Sequence, residues 1–385
     1  MSAHLFRSRH RRLVVGIALP LWLAGMSLAA CAQSSDGTSA TPDVSVIVPS
    51  NDASAEAAPD ATVDGDADSA LPDMPCAVGN VCRVTTALTV GYVSSIQGRS
   101  TSDVWAAGSL GLMMHWDGHG WTDIRSTKPP SDLLTPSSVF LTPDAAWGIA
   151  GTRIMRRGLD PDSIHTFELF DPYHAPTSVV VLGNGHGYIG CSEGPYAPPG
   201  AGGVLYDVFD FDNAAFRPLP PPVLAANQQP VAMNIRALFA APESAMWAVG
   251  ERGLIARYSL AGADAGPTQG EIVPLANQND LFAGWGAGDE LWAAGEKGTL
   301  IHVDGTSTTA MTSSTTATLN AIFGLSKSDI WAAGDNGVLL HFDGTSWSRI
   351  PIQGYRGNLR TIWGAASDDV WIGGEGAMFH WGPLP

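Results

Sequence analysis

Residues 328–347 read Ser-Asp-Ile-Trp-Ala-Ala-Gly-Asp-Asn-Gly-Val-Leu-Leu-His-Phe-Asp-Gly-Thr-Ser-Trp. The chain writes this phrase again at 102–121, as Ser-Asp-Val-Trp-Ala-Ala-Gly-Ser-Leu-Gly-Leu-Met-Met-His-Trp-Asp-Gly-His-Gly-Trp, and in shorter copies at 289–305 and 368–380. A phrase that returns at a period of about 40 residues marks an array of one supersecondary unit. The anchor Trp falls at Trp105, Trp147, Trp247, Trp292, Trp331 and Trp371, and Tyr188 fills the gap. By subtraction the spacings are 42, 41, 59, 45, 39 and 40. The long interval, 188 to 247, is one unit plus an insertion. The count is seven, with six or eight as the fallback.

Each unit divides into four short strands. In the clearest copy these are 319–323, 329–333, 338–342 and 346–350. Asp335-Asn336-Gly337 separates the second from the third, and Asp343-Gly344 the third from the fourth. Asn-Gly and Asp-Gly favour the positive φ of tight hairpins. The third strand is apolar without alternation, as expected of a strand covered on both faces by neighbouring units. Four-stranded units repeated radially make an all-β fold, a seven-bladed β-propeller. The last unit carries three strands before Pro385, and a strand-like run at 83–89 precedes the first. That run is expected to supply the missing outer strand, closing the ring and removing two bare edges.

The N-terminal 30 residues read as an address. Arg7, Arg9, Arg11 and Arg12 precede an apolar stretch from Leu13 to Ser27 that ends in Leu28-Ala29-Ala30-Cys31. The stretch is short for a membrane span of about 20 residues, and its flanks are those of a signal peptide. Residues 31–75 form an acidic tether: 32–75 hold nine Asp or Glu and no Lys or Arg. Such a composition buries too little apolar surface to offset chain entropy, so the tether is expected to be disordered. Asp64, Asp66 and Asp68 imitate the start of a calcium loop, but its twelfth position is Pro75 where a bidentate Glu is required, so they read as solvated charge. The propeller is assigned to 76–385.

The chain carries −17, and four Arg lie in residues 1–30, so removing that segment leaves −17 − 4 = −21. The tether holds −9 of this and 76–385 the remaining −12. An acidic propeller is a poor partner for nucleic acid, whose binding neutralises phosphate charge. Cys76 and Cys82 are spaced for a small disulfide loop in an exported protein, with a metal pair as the alternative that no nearby ligand completes. Cys191 reads as a small buried residue.

The tempting chemistry is the set His115, His302, His341 and His380, one per unit on the third strand. A converging ring of imidazoles would suit a metal or polar channel. A residue written by the repeat more often serves the repeat, here by bonding a turn or the neighbouring Asp of its own blade. Arg257 stands in the same place in the fourth unit, which a metal site would not tolerate. The anchor Trp residues read as packing, as do Trp285 and Trp363 on first strands. No cofactor and no metal are expected. Function is expected where the repeat is broken: the loop 191–203, with Glu193 and Tyr196 as candidate binding residues, and the stretch 218–230.

The apolar stretch ending in Leu-Ala-Ala-Cys resembles a bacterial lipobox, which implies lipidation of Cys31. With Ala32 following, sorting to the outer membrane or cell surface is implied. The repeat phrase resembles two related groups of propeller repeats. One is the sialidase-like (BNR, or photosystem-assembly-factor-like) repeat of exported bacterial proteins. The other is the tectonin repeat, with Val-Trp, a Gly turn and Asp-Gly-x-x-Trp. Tectonin-type propellers imply glycan binding between blades; the other group includes assembly factors. A sialidase-like glycosidase would require paired carboxylates and an Arg cluster in a central cleft. The Asp-Gly-x-x-Trp at 117–121 and 343–347 matches an Asp-box in place but not in its leading residues, Phe216-Arg217-Pro218 lies mid-chain, and Arg153, Arg156 and Arg157 cluster locally without a partner pattern. The expectation is therefore a monomeric, non-catalytic, lipid-anchored envelope propeller that binds a glycan or a protein partner. A sugar-independent assembly scaffold is the alternative and a glycoside hydrolase the lesser one.

Overall fold

The computed structural model describes residues 75–86, 91–124, 138–158, 164–168, 173–182, 187–198, 200–210, 215–241, 245–260 and 270–384. The signal segment, Cys31 and the tether through residue 74 lie outside the described residues.

Seven antiparallel sheets follow one another along the chain, and together they are a seven-bladed β-propeller. Blade six consists of Leu319–Ser326, Asp329–Gly334, Leu339–Phe342 and Trp347–Arg349, paired in that order. The first strands of the seven blades are Val93–Ser100, Ser138–Leu141, His174–Val181, Ile235–Ala241, Leu281–Ala287, Leu319–Ser326 and Leu359–Ala366. Each touches the first strand of the next blade, and the seventh touches the first, so these strands line the axis of a closed ring. Blade seven obtains its fourth strand from the start of the propeller. Val81–Val84 pairs antiparallel with Ala377–Trp381, Val81 opposite Trp381 and Val84 opposite Met378. The closing strand begins two residues earlier than the run at 83–89 implied, and 87–90 lie outside the described residues.

Closure depends on two repeated packing devices. Each second-strand anchor faces the following blade. Trp371 of blade seven packs on Trp116 and Trp121 of blade one, with ring centroids 5.0 and 5.1 Å apart. Trp331 of blade six meets Trp381 of blade seven at 5.2 Å. Nearer the axis, a first-strand aromatic ring lies on a glycine of the next blade. A Cβ added at Gly98 would stand 2.3 Å from Trp363, and one at Gly324 would stand 2.7 Å from Trp285. Aromatic-on-glycine contacts let neighbouring blades approach closely where the ring is narrowest.

The first strand slips register by one residue near its start in blades one, three, four, five, six and seven. Such a bulge bends the strand and re-aims a side chain. In four of these blades the extra residue bonds its own blade's second strand or the turn beyond it: Thr177 donates to the Gly190 carbonyl, Asn320 to Asp335, and Arg236 and Arg360 to Glu251 and Glu375. That turn is left-handed at its second residue, with φ 57° at Asn336 and also 57° at Leu110. Asparagine tolerates this region; leucine adopts it at a cost.

Blade four is the exception in strand number. Val223–Leu224, from the insertion after blade three, adds to its outer edge as a fifth strand, parallel to Gly270–Ile272. The extra length in the long interval thus straps blade three to blade four instead of hanging free.

Candidate functional site

The second and third strands bring the repeat's polar residues together. In blade one the Asp103 Oδ1 accepts the indole N–H of Trp105 at 2.8 Å and contacts the Nε2 of His115 at 2.9 Å. Blade six repeats this with Asp329, Trp331 at 3.0 Å and His341 at 2.9 Å. Blades five and seven pair His302 with Glu290 at 2.9 Å and His380 with Asp369 at 2.8 Å. Each imidazole serves an acid of its own blade and lies beside its own Trp, and the four stand in four separate blades. Among the described residues no three His, Cys, Asp or Glu side chains come together as a metal site would need.

Two blades substitute arginine for histidine without losing the arrangement. Arg257 lies over the Trp247 ring, its guanidinium carbon 5.7 Å from the centroid, and bonds Asp289 of blade five at 2.5 Å. Arg156 lies over Trp147 at 5.4 Å and bonds Asp144 at 3.0 Å. A guanidinium over an indole face gains cation–π attraction while it reaches a carboxylate. The sequence reading recognised Arg257 but took Arg156 as part of a local cluster; the register opposite Trp147 identifies its place.

The same acids tie neighbouring blades. Lys327 of blade six bonds Glu290 of blade five, and Ser367 of blade seven donates to Asp329 of blade six at 2.5 Å. The Lys327 bond, with help from His302 and against the opposing effect of burial, holds the Glu290 carboxyl below the usual range. Burial pushes Asp103 upward, but bonds from Arg99, His115 and Trp105 outweigh it and leave its carboxyl lowered. Asp117 and Asp343, in the third-to-fourth hairpins, accept the backbone N–H groups of His119 and Gly120, and of Thr345 and Ser346, between 2.8 and 3.0 Å. These aspartates shape turns.

Blade three departs from the pattern. Tyr188 replaces the anchor Trp, and the residue opposite it is Asp207, fully buried and paired with Arg217 at 2.8 Å. Burial first, and the Asp207 charge second, push the Tyr188 phenol up to about 12. Where other blades pass from second to third strand in two or four residues, blade three runs from Glu193 to Leu205. The loop is braced. The Glu193 carboxylate accepts the N–H of Gly200 and Gly202 at 3.3 and 3.4 Å, its own N–H donates to Asn234 at 2.8 Å, and Gly203 bridges to Met233. Glu193 therefore holds the loop, and the ring of Tyr196, 75 % exposed, stands out from it. Tyr173, 51 % exposed, adjoins it through the bond from the Gly194 N–H to the Tyr173 carbonyl, 2.7 Å. Cys191 is buried on the second strand, and Cys76 and Cys82 are joined by a disulfide at the start of the closing strand.

No protein-family model matches the chain, and no curated protein sequence matches it. Solved structures do. YCF48 from Cyanidioschyzon merolae superposes with a TM-score of 0.60 at 15 % identity, over 80 % of this chain and 100 % of that one. YCF48 bound to a D1 peptide gives 0.60 at 16 % identity, over 80 % and 99 %. Catalytically inactive virginiamycin B lyase from Staphylococcus aureus, with quinupristin, gives 0.62 at 15 % identity, over 78 % and 98 %. At these identities the likeness shows a shared fold.

Proposed function

We propose that this chain is a non-catalytic propeller that binds a protein partner, displayed from the bacterial envelope by a lipid on Cys31. The observation that carries the reading is the braced loop of blade three, which presents Tyr196 and Tyr173 to solvent in the one blade where anchor and opposite residue both depart from the pattern. Two exposed aromatic rings on a rigid support are the kind of anchor that protein interfaces use. The repeated His–acid pairs lie beside Trp rings and tie neighbouring blades, so these pairs lend the catalytic reading no support. A propeller of this fold bound to a D1 peptide supports a peptide-binding role by analogy of fold.

The test is a photo-crosslinking phenylalanine analogue at position 196 of the full chain, in the cell that makes it, with a second at Thr345 on the blade-six hairpin. The reading expects one discrete protein adduct from 196 and none from 345. A glycan array run on the same protein opposes it: a defined sugar class bound there, with no adduct at 196, would replace the scaffold with a lectin. A Cys31→Ala variant that still partitions with membranes would remove the lipid anchor from the proposal.

A further inference from the structure

A cavity of about 460 Å3 opens beside the ring axis between blades four and five. Phe239 and Ala240 line it from blade four, and Trp285, Gly286, Ala287 and Gly288 from blade five. Its cause lies in the loop between the first and second strands of blade five. Trp285 precedes Trp292 by seven residues, as Phe140 precedes Trp147 in blade two, whereas Phe323 precedes Trp331 by eight because blade six carries a bulge between Gly324 and Ser326. The blade-five loop is also built of Gly286-Ala287-Gly288, where blade one has Gly98-Arg99-Ser100 and blade six has Gly324-Leu325-Ser326. The short spacing is shared with blade two, whereas the Gly-Ala-Gly run in this connection is particular to blade five.

The two aromatic residues among the lining are held in place. The Phe239 ring covers Gly284 so closely that a Cβ there would stand 2.2 Å from it. The Trp285 ring covers Gly324 and packs on Trp292 with centroids 5.3 Å apart. No charged or hydrogen-bonding side chain besides the indole N–H of Trp285 lines the space, which suits an apolar group and gives the hydroxyls of a sugar few partners. The rim is acidic. Asp289, with 63 % of its side chain exposed, follows Gly288 directly, and Glu290 and Asp304 stand beyond it. Arg257 and Lys327 are committed to Asp289 and Glu290. The loops of this side of the ring add Asp117, Asp144, Asp343 and Asp368.

We infer that this cavity takes the apolar side chain of an extended peptide whose flanking residues are basic. The inference rests on the reading of the ring as protein-binding, and it places a second contact on the side opposite the Tyr196 loop. First-to-second loops and second-to-third turns leave a blade at opposite ends, so the two sites can be tested apart.

The experiment titrates the full chain into fluorescein-labelled heptapeptides with a central Leu, Trp or Ser and either Lys or Glu flanks, read by polarisation. Lys-flanked Leu or Trp peptides should bind, and the Ser and Glu-flanked peptides should bind about ten-fold more weakly. Ala287→Phe fills the cavity from blade five and should weaken binding about ten-fold, while Thr309→Ala on the exposed fourth strand of the same blade leaves it unchanged. Ala240→Leu fills the same space from blade four and should act in the same way should Ala287→Phe fail to fold. Equal binding by the filled variants, equal binding of Glu-flanked peptides, or no binding by any peptide overturns the inference. Peptide binding that survives the loss of the adduct at 196 separates this site from the blade-three reading, and an adduct at 196 with no peptide binding sinks this site alone.

Discussion

In blade six, Asp329 receives the indole N–H of Trp331 and the imidazole of His341, and Trp331 is fully buried against blade seven. In blade three the corresponding places hold Tyr188 and Asp207, the buried Asp207 turns to Arg217 of its own fourth strand, and a braced loop replaces a turn of four residues. The first arrangement gathers its polar groups on one acid of the blade and ties that acid to Ser367 of the next blade. The second keeps its charge pair within the blade and uses its extra length to expose two tyrosines. The repeat's polar residues are therefore structural where they follow the pattern, and the departures from it are where a partner has something to recognise.

Four measurements would break or sharpen this contrast. The largest effect belongs to Trp331→Ala. Removing a fully buried indole at a blade interface should cost about 3–5 kcal/mol in denaturant unfolding. A loss below about 1 kcal/mol would mean the anchor is not what joins blades six and seven.

Arg217→Ala tests blade three from the inside. Asp207 is wholly buried while the Arg217 side chain is 62 % exposed, so truncation strips a partner from a buried carboxylate. The expected cost is about 1–3 kcal/mol. It should exceed that of Arg349→Ala on the exposed fourth strand of blade six, and the reverse order would dissolve the distinction.

The acid limb of stability reads the bonds of the repeat's second-strand acids. Asp103 and Glu290 have carboxyls lowered in the folded state. A depressed folded pKa contributes stability above the ordinary unfolded value, about pH 4, and loses it as pH falls through the folded one. The melting temperature should therefore drop below about pH 4, and the Asp103→Asn, Glu290→Gln double variant should show a shallower drop. An identical slope in the double variant would show that these bonds do not carry the acid sensitivity.

The smallest effect is at Leu110, which occupies the left-handed position that Asn336 fills in blade six. Leu110→Asn should stabilise by about 0.5–1 kcal/mol. A destabilisation would mean that the exposed Leu110 side chain has an unseen packing role.

Much of the ring could be read before any coordinates, because a propeller writes its period into the chain. Trp at a spacing near 40, Asn-Gly and Asp-Gly at the hairpins, and a three-stranded last unit led to seven blades and to an outer strand supplied from the beginning of the array. The loop 191–203 stood out because the repeat breaks there. What Glu193 does in that loop was not legible. Its bonds run to the N–H groups of Gly200 and Gly202 and to Asn234 of the next blade, and backbone amides leave no mark in a sequence. The role of Arg156 was hidden for a different reason, since its neighbours Arg153 and Arg157 made a cluster of what the register separates.

The sequence by itself determined the all-β class, the count of units and the places where hairpins turn, since these depend on local φ preferences and on a period carried by the chain. Only the tertiary structure decided what each repeated side chain touches. Trp363 meets Gly98, Lys327 meets Glu290, and the strand Val223–Leu224 lands on blade four. These contacts join residues far apart in the chain, and they exist because closing a ring forces each blade's surface onto the next.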